Sequence, residues 1–463
     1  MQDEPSRRQL LTGAAAGGVG ALAGCIDGVA VGDEDGVSTY AAFFTLWDWT
    51  RRVGGDRVRV DNPVETGEMG HGWSPDGNVV PEIADSEAFF YLDTPEFAWA
   101  QDVAGELERD YGNVAAIDLL DGLEPHLLTF AGDGMPEPDR GHDYPVESIR
   151  FDEFDIFDLR SNDQLGYWHT DHWHGGVPDV PVDGSVPIAA VLVDAEERIV
   201  PLGDTEPYRV DARVADGHES APVEIESAGG HVSFRGTEVG STAIVFEIYH
   251  EGDRVYDTSD EPAPVDVVAN AENGGASAFH DPHTWVDPVL AGEMVDAIAD
   301  GLTEIDPDGA ETYRENADTY VDRLDDVHEA FEELAATAER DVAVFAAHDS
   351  FRYVEDRYGF TLHTPTGISP DAAESIEDVS GTISVIEDHG IETVLYDPFE
   401  SPEPGERPPQ MVEVLLENSD AEEALPLTPV EGTTETWAER DWGWIEQMEE
   451  INLPSLRAAL DAE

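Results

Sequence analysis

Hydrophobic periodicity changes character along this chain, and those changes constrain the fold more than any other feature. From residue 39 to about 146, short apolar runs alternate with helical patterns. The runs at 41–46, 57–60 and 88–92 read as strands, and 47–53, 75–84 (with Ser74 as N-cap) and 96–110 read as helices. Strands alternating with helices imply a parallel sheet. From about 147 to 268 helical periodicity disappears. Short strands at 188–193, 208–214, 223–225, 231–234 and 242–249 follow one another between Gly and Asp turns, a β-sandwich signature. From 287 to about 340 the pattern is helical, with Tyr320, Leu324, Val327, Phe331 and Leu334 on one face. From 341 the α/β pattern returns, with strands at 342–345 and 393–396 and a closing helix at 442–460.

The expected class is therefore α/β. A first lobe takes 39–146 plus 269–290, an all-β module at 147–268 is inserted into it, a spine helix takes 291–340, and a second lobe takes 341–463. With 40% hydrophobic residues and ten tryptophans, 463 residues suffice for several packed cores. The chain carries 103 Asp and Glu against 23 basic residues, all arginine, for a net charge of −80. Such acidity usually marks disorder. Here the apolar content is that of a folded protein, so the acid reads as a solvated surface layer. High salt would screen its self-repulsion, which points to a halophilic source. Nucleic acid is excluded as a partner, because binding phosphate needs a basic patch.

Residues 1–25 read as a targeting segment. Ser6-Arg7-Arg8-Gln9-Leu10-Leu11 has the form of a twin-arginine export signal, and the weakly apolar run to Gly24 is too short to span a bilayer. Leu22-Ala23-Gly24-Cys25 has the form of a lipoprotein cleavage box. Cys25 is the only cysteine, so an intrachain disulfide is impossible. The expectation is an exported monomer held to the outer face of the cell membrane by a lipid on Cys25, with 26–38 as a Gly/Asp-rich tether.

With its only thiol assigned to the anchor, the chain has histidine left as its soft metal donor, and neutral imidazole suits zinc well. Three of the 15 histidines lie at or near strand ends. His71 lies in Gly67-Glu68-Met69-Gly70-His71-Gly72-Trp73-Ser74-Pro75, His283 in Asp281-Pro282-His283-Thr284-Trp285-Val286-Asp287-Pro288, and His348 just after the strand at 342–345. Ligands of open parallel sheets bind beyond the carboxyl ends of the strands. Each residue taken alone could equally be a capping or hydrogen-bonded histidine.

These strings, together with His348-Asp349-Ser350-Phe351-Arg352-Tyr353, Tyr358-Gly359-Phe360 and Ile368-Ser369-Pro370-Asp371-Ala372-Ala373, resemble the zinc/manganese-binding solute receptors of ABC importers. The resemblance covers both α/β zones and the spine, and omits the tether and the β module. It implies two lobes joined by one long helix, a metal in the cleft between them, and delivery to the permease subunits of an importer. His71 and His283 would ligate from the first lobe and His348 from the second. Histidine at 348 favours zinc, since manganese-type members carry a carboxylate there.

The chain departs from that pattern in places. Glu65-Thr66-Gly67 replaces a Pro-Gly, and Thr428 stands where a ligating Asp is common, which leaves Glu431 or a water as the fourth ligand. Asp397-Pro398 takes a supporting role. Zinc-type members carry a His-rich loop where the β module sits, and here Trp168-His169-Thr170-Asp171-His172-Trp173-His174 offers a possible auxiliary metal site, with His142 and His280 flanking the module.

Three other readings remain open at this point. One is a manganese or iron receptor, another a secreted zinc hydrolase, and the third a surface metal buffer or adhesin. The chain lacks the His-Glu-x-x-His and Gly-x-Ser-x-Gly motifs that would favour hydrolysis.

Overall fold

The computed structural model describes residues 36–70, 73, 75, 78–128, 135–169, 172–182, 184–196, 198–215, 217, 221–269, 280–365, 376–401 and 407–462. Cys25, His71, Ser74 and 366–375 therefore lie outside the described residues.

Two four-stranded sheets carry the α/β parts. In the first, the strands run Val58–Asp61, Val37–Ala41, Ala88–Tyr91, Ala115–Asp118, all parallel. In the second they run Thr361–His363, Val342–Phe345, Thr393–Tyr396, Glu423–Pro426, again all parallel. Between them in sequence, strands from Ile149 to Val268 form a six-stranded and a five-stranded sheet, paired mainly antiparallel. Their inner faces share one core that includes Phe154, Trp168, Ile188, Phe234, Phe246 and Val265. This is the packing of a sandwich. A separate core runs continuously through both α/β parts, taking in Phe43, Phe90, Trp285, Phe331, Phe345 and Trp444.

Several local expectations are corrected. The first strand begins at Val37, inside the expected tether, and ends at Ala41, and a helix starts at Phe44 where the strand was expected to continue to 46. A short apolar run does not distinguish a strand from a buried helix, and this helix buries Phe44, Leu46, Trp49 and Val53. The helix expected over 75–84 is confined to Val79–Ile83. Pro81 is tolerated only in a first turn, so the helix cannot begin much earlier.

The single spine is two helices, Pro288–Ile305 and Ala310–Thr337. Pro307 lacks an N–H and restricts Asp306, whose ψ of 79° is not helical. The Asp306 carboxylate then accepts from the Tyr313 hydroxyl at 2.6 Å and from Arg57 Nη2 at 2.6 Å. The five apolar positions expected on the spine face are all buried in Ala310–Thr337. The closing helix contains a wider π turn at Met448–Asn452, just ahead of Pro454, between helical stretches Trp444–Gln447 and Leu453–Ala459. Among the described residues no helix is long and apolar enough to cross a membrane.

Candidate metal centre

Parallel strands of the second sheet deliver acidic and imidazole side chains to one edge. His348 follows the strand Val342–Phe345, Asp397 directly follows Thr393–Tyr396, and Glu431 follows Glu423–Pro426. These three strands are neighbours, so their carboxyl ends adjoin. His283 comes from the other side, in the turn that leads into Pro288–Ile305. Asp287 fixes that turn: its carboxylate accepts from the Val289 and Leu290 amides at 2.8 and 3.2 Å.

His283, His348 and Glu431 are each 0% exposed. One potential ligand atom from each lies within 4.8 Å of the other two, and the two imidazole centroids are 5.4 Å apart. Zinc bonds nitrogen at about 2.0–2.1 Å, so a small contraction would close this group on one ion. Each ring is oriented by a carboxylate. His283 Nδ1 lies 3.0 Å from Asp281 Oδ1, which also accepts from the His283 amide at 2.9 Å. His348 Nδ1 lies 2.6 Å from Glu400 Oε1, which accepts from the His348 amide at 3.1 Å. Holding Nδ1 in this way presents Nε2 as the ligating nitrogen.

Negative charge is crowded here. Burial, with added repulsion from Glu96, pushes the Asp281 carboxyl up to about 6, although the His283 amide, Arg352 and His348 act the other way. Burial likewise lifts Asp349 to about 6, with Asp281 adding to it. Burial and the neighbouring Glu400 and Glu431 hold the Asp397 carboxyl well above the usual range. Charges out of water are costly unless paired. A divalent cation would relieve this crowding, and the two nitrogens beside a carboxylate suit zinc.

The backbone that carries Glu431 is constrained. Val430 has a φ of 60°, a left-handed value that β-branched residues seldom adopt. Its amide donates to Thr428 Oγ1 at 3.1 Å, and the Thr45 hydroxyl donates to its carbonyl. Trp285 Nε1 donates to the Pro429 carbonyl at 2.8 Å. Residues of the first lobe thus pin the Glu431 loop. Tyr353 OH donates to the Asp281 carbonyl at 2.9 Å, and Arg357 Nε lies 2.5 Å from Asp287 Oδ2, which ties the same lobes from the other direction.

His71 lies outside the described residues, but the chain leading to it is placed. Gly67 N–H donates to the Thr433 carbonyl at 2.8 Å, and a Cβ on Gly432 would meet the Glu68 carbonyl at 2.6 Å. Gly70 sits against the Phe43 and Phe97 rings, where a side chain would not fit. Both rings contact Trp285, 5.2 Å from the His283 ring.

His169, His172 and His174 are brought together elsewhere, on a hairpin of the β module, with one ring nitrogen of each within 4.8 Å of the others. His142 and His280 do not join that group among the described residues; His142 lies beside Arg198 and Tyr144 instead. Sequence reasoning missed Asp281 and Glu400 as orienting carboxylates. Asp281 stands two residues before His283, a spacing that could have flagged it. Glu400 is 52 residues from His348 and left no signal.

Comparison with known proteins follows the same lines. A model of the family described as zinc-uptake complex component A, periplasmic, matches residues 40–459. The zinc-binding protein AdcA of Streptococcus pyogenes serotype M1 is 27% identical over 192 residues, 42% of this chain and 35% of its own length. The high-affinity zinc uptake system protein ZnuA of Bacillus subtilis is 26% identical over 180 residues, 39% of this chain and 53% of its own length. The matched stretches thus span about a third to a half of these relatives. The crystal structure of the Zn(II)-bound ZnuA-like domain of Streptococcus pneumoniae AdcA superposes with a TM-score of 0.51 at 17% identity, covering 92% of this chain and 99% of that one. The metal-dependent lipoprotein YcdH of Bacillus subtilis gives 0.51 at 16% identity with the same coverage. At these identities the structures speak to the fold.

Proposed function

Because this chain belongs to the zinc-uptake complex component A family, we propose that it is an exported receptor that binds zinc between its two lobes and delivers it to an ABC importer. Its ligands are His71, His283, His348 and Glu431. The observation that carries this reading is the convergence of His283, His348 and Glu431, far apart in sequence, on one buried point between the lobes. The approach of 67–70 to the same point supports His71 as the remaining donor. Cys25 carries the lipid that keeps the receptor, a monomer, at the outer face of the membrane, and the acidic surface suits a salty exterior.

Zinc here is cargo. Ligands drawn from both lobes complete a shell only when the lobes are apposed, so occupancy selects one interlobe geometry, which the permease reads. Protons compete with metal for the imidazoles, so affinity falls as the medium is acidified.

Competition titration against a chromophoric chelator tests the site. His283→Ala and His348→Ala should each weaken zinc binding by at least 100-fold, and His389→Ala, at a surface position, should not. Equal behaviour of all three variants would refute the assignment. Permease and ATPase genes adjoining this one would support delivery to an importer.

A further inference from the structure

The histidine hairpin of the β module plays no part in the reading above, yet it is built as a site. His169 ends the strand Gln164–His169 and pairs opposite His172, while His174 stands two residues further along the returning strand His172–Gly175. Residues directly opposite and residues two apart share a face, so three imidazoles occupy one face of the hairpin. The His172 and His174 ring centroids are 4.6 Å apart.

His174 is 8% exposed, and its Nε2 has no hydrogen-bond partner among the described residues. Its Nδ1 lies 3.0 Å from Oε2 of Glu96, itself buried. At His283 with Asp281 and at His348 with Glu400 a carboxylate likewise lies against Nδ1, the arrangement by which outer carboxylates orient metal-binding imidazoles. Glu96 belongs to the first lobe, in the turn Pro95–Phe97, and Tyr167 OH of the module approaches it at 3.5 Å.

We propose that His169, His172 and His174, the last lying against Glu96, form a second site for a zinc-class divalent ion at the contact between the β module and the first lobe. Three imidazoles leave a fourth tetrahedral position for water and discriminate against magnesium and calcium, which prefer oxygen. The site communicates with the interlobe centre through packing. Phe97, next to Glu96, stacks on Phe43 at 4.7 Å and meets Trp285 at 5.7 Å, and Trp285 lies against His283. This link rests on the receptor reading; the hairpin site itself does not.

Equilibrium dialysis of the full chain against zinc, in molar salt with excess magnesium to occupy the acidic surface, tests the proposal by elemental analysis. The wild-type chain should hold two equivalents, and the combined His169→Ala/His172→Ala/His174→Ala variant one. An unchanged stoichiometry in that variant overturns the hairpin site. The His283→Ala/His348→Ala variant should also hold one equivalent, and its result judges the interlobe centre separately. Cobalt(II) titration guards against misfolding. Two tetrahedral absorption envelopes are expected in the wild-type chain, one of them lost in the mild His172→Gln variant; a single envelope unaffected by His172→Gln overturns the proposal.

Discussion

Glu400 accepts from both the amide and the ring of His348, so its role can be separated from ligation. Outer-sphere carboxylates typically contribute 10–100-fold to metal affinity. Glu400→Gln should weaken zinc binding by about that factor, short of the loss in His348→Ala, in the same competition titration. A second residue-scale test uses Asp155, whose carboxyl is pushed up to about 7 by burial first and Glu153 second. Its folded-state value exceeds the unfolded one, so between about pH 4 and 7 the native state binds the extra proton and stability falls as pH rises. Asp155→Asn keeps an acceptor for Gln164, which donates to Oδ1 at 2.9 Å. The variant should melt above wild type at pH 8 and with it at pH 4. At this scale His283 and His348 were legible, because a histidine beside a strand end or in an Asp-Pro-His turn is a local pattern. Their partners were not. Glu400 reaches the His348 ring, and Glu96 the His174 ring, through tertiary packing, and the left-handed Val430 that sets Glu431 in place has no signature in a β-branched residue.

Elements were legible where period and length agreed, and misread where proline or short length decided the matter. The buried face Tyr320, Leu324, Val327, Phe331 and Leu334 follows from 3.6-residue spacing alone. Phe331→Ala should cost about 3–5 kcal/mol in chemical denaturation, the usual range for emptying a packed aromatic site. The periodicity on either side of Asp306-Pro307 predicts a single rod, and Pro307 divides it into two helices. The strand expected through 46 failed because Phe44 and Leu46 serve a helix as well as they would a strand. Asp287 both caps Pro288–Ile305 and pairs with Arg357. Asp287→Ala should lower stability by about 1–2 kcal/mol through the cap, and Asp287→Asn, which can still accept the amide bonds, should lose less. Thermal melts of the two variants distinguish cap from ion pair.

On the scale of the whole molecule, the change from α/β to all-β and back to α/β shows in the periodicity of the described residues, whereas the way the parts meet does not. The lobes are tied by Tyr353 to Asp281, Arg357 to Asp287, and Trp285 and Thr45 to the Glu431 loop, all contacts between residues distant in sequence. A net charge of −80 opposes compaction, so melting temperature should rise between 0.1 M and molar salt as screening increases. Zinc binding to the native state alone should add about 2.7 kcal/mol at 100-fold excess over Kd. The central claim, a zinc ion held between the lobes, is tested most directly by anomalous diffraction at the zinc edge from crystals of the zinc-loaded chain. The account predicts a peak within bonding distance of Nε2 of His283 and His348 and of the Glu431 carboxylate, with His71 completing the shell. Strong zinc peaks confined to other parts of the molecule, with none between those two imidazoles, would contradict it.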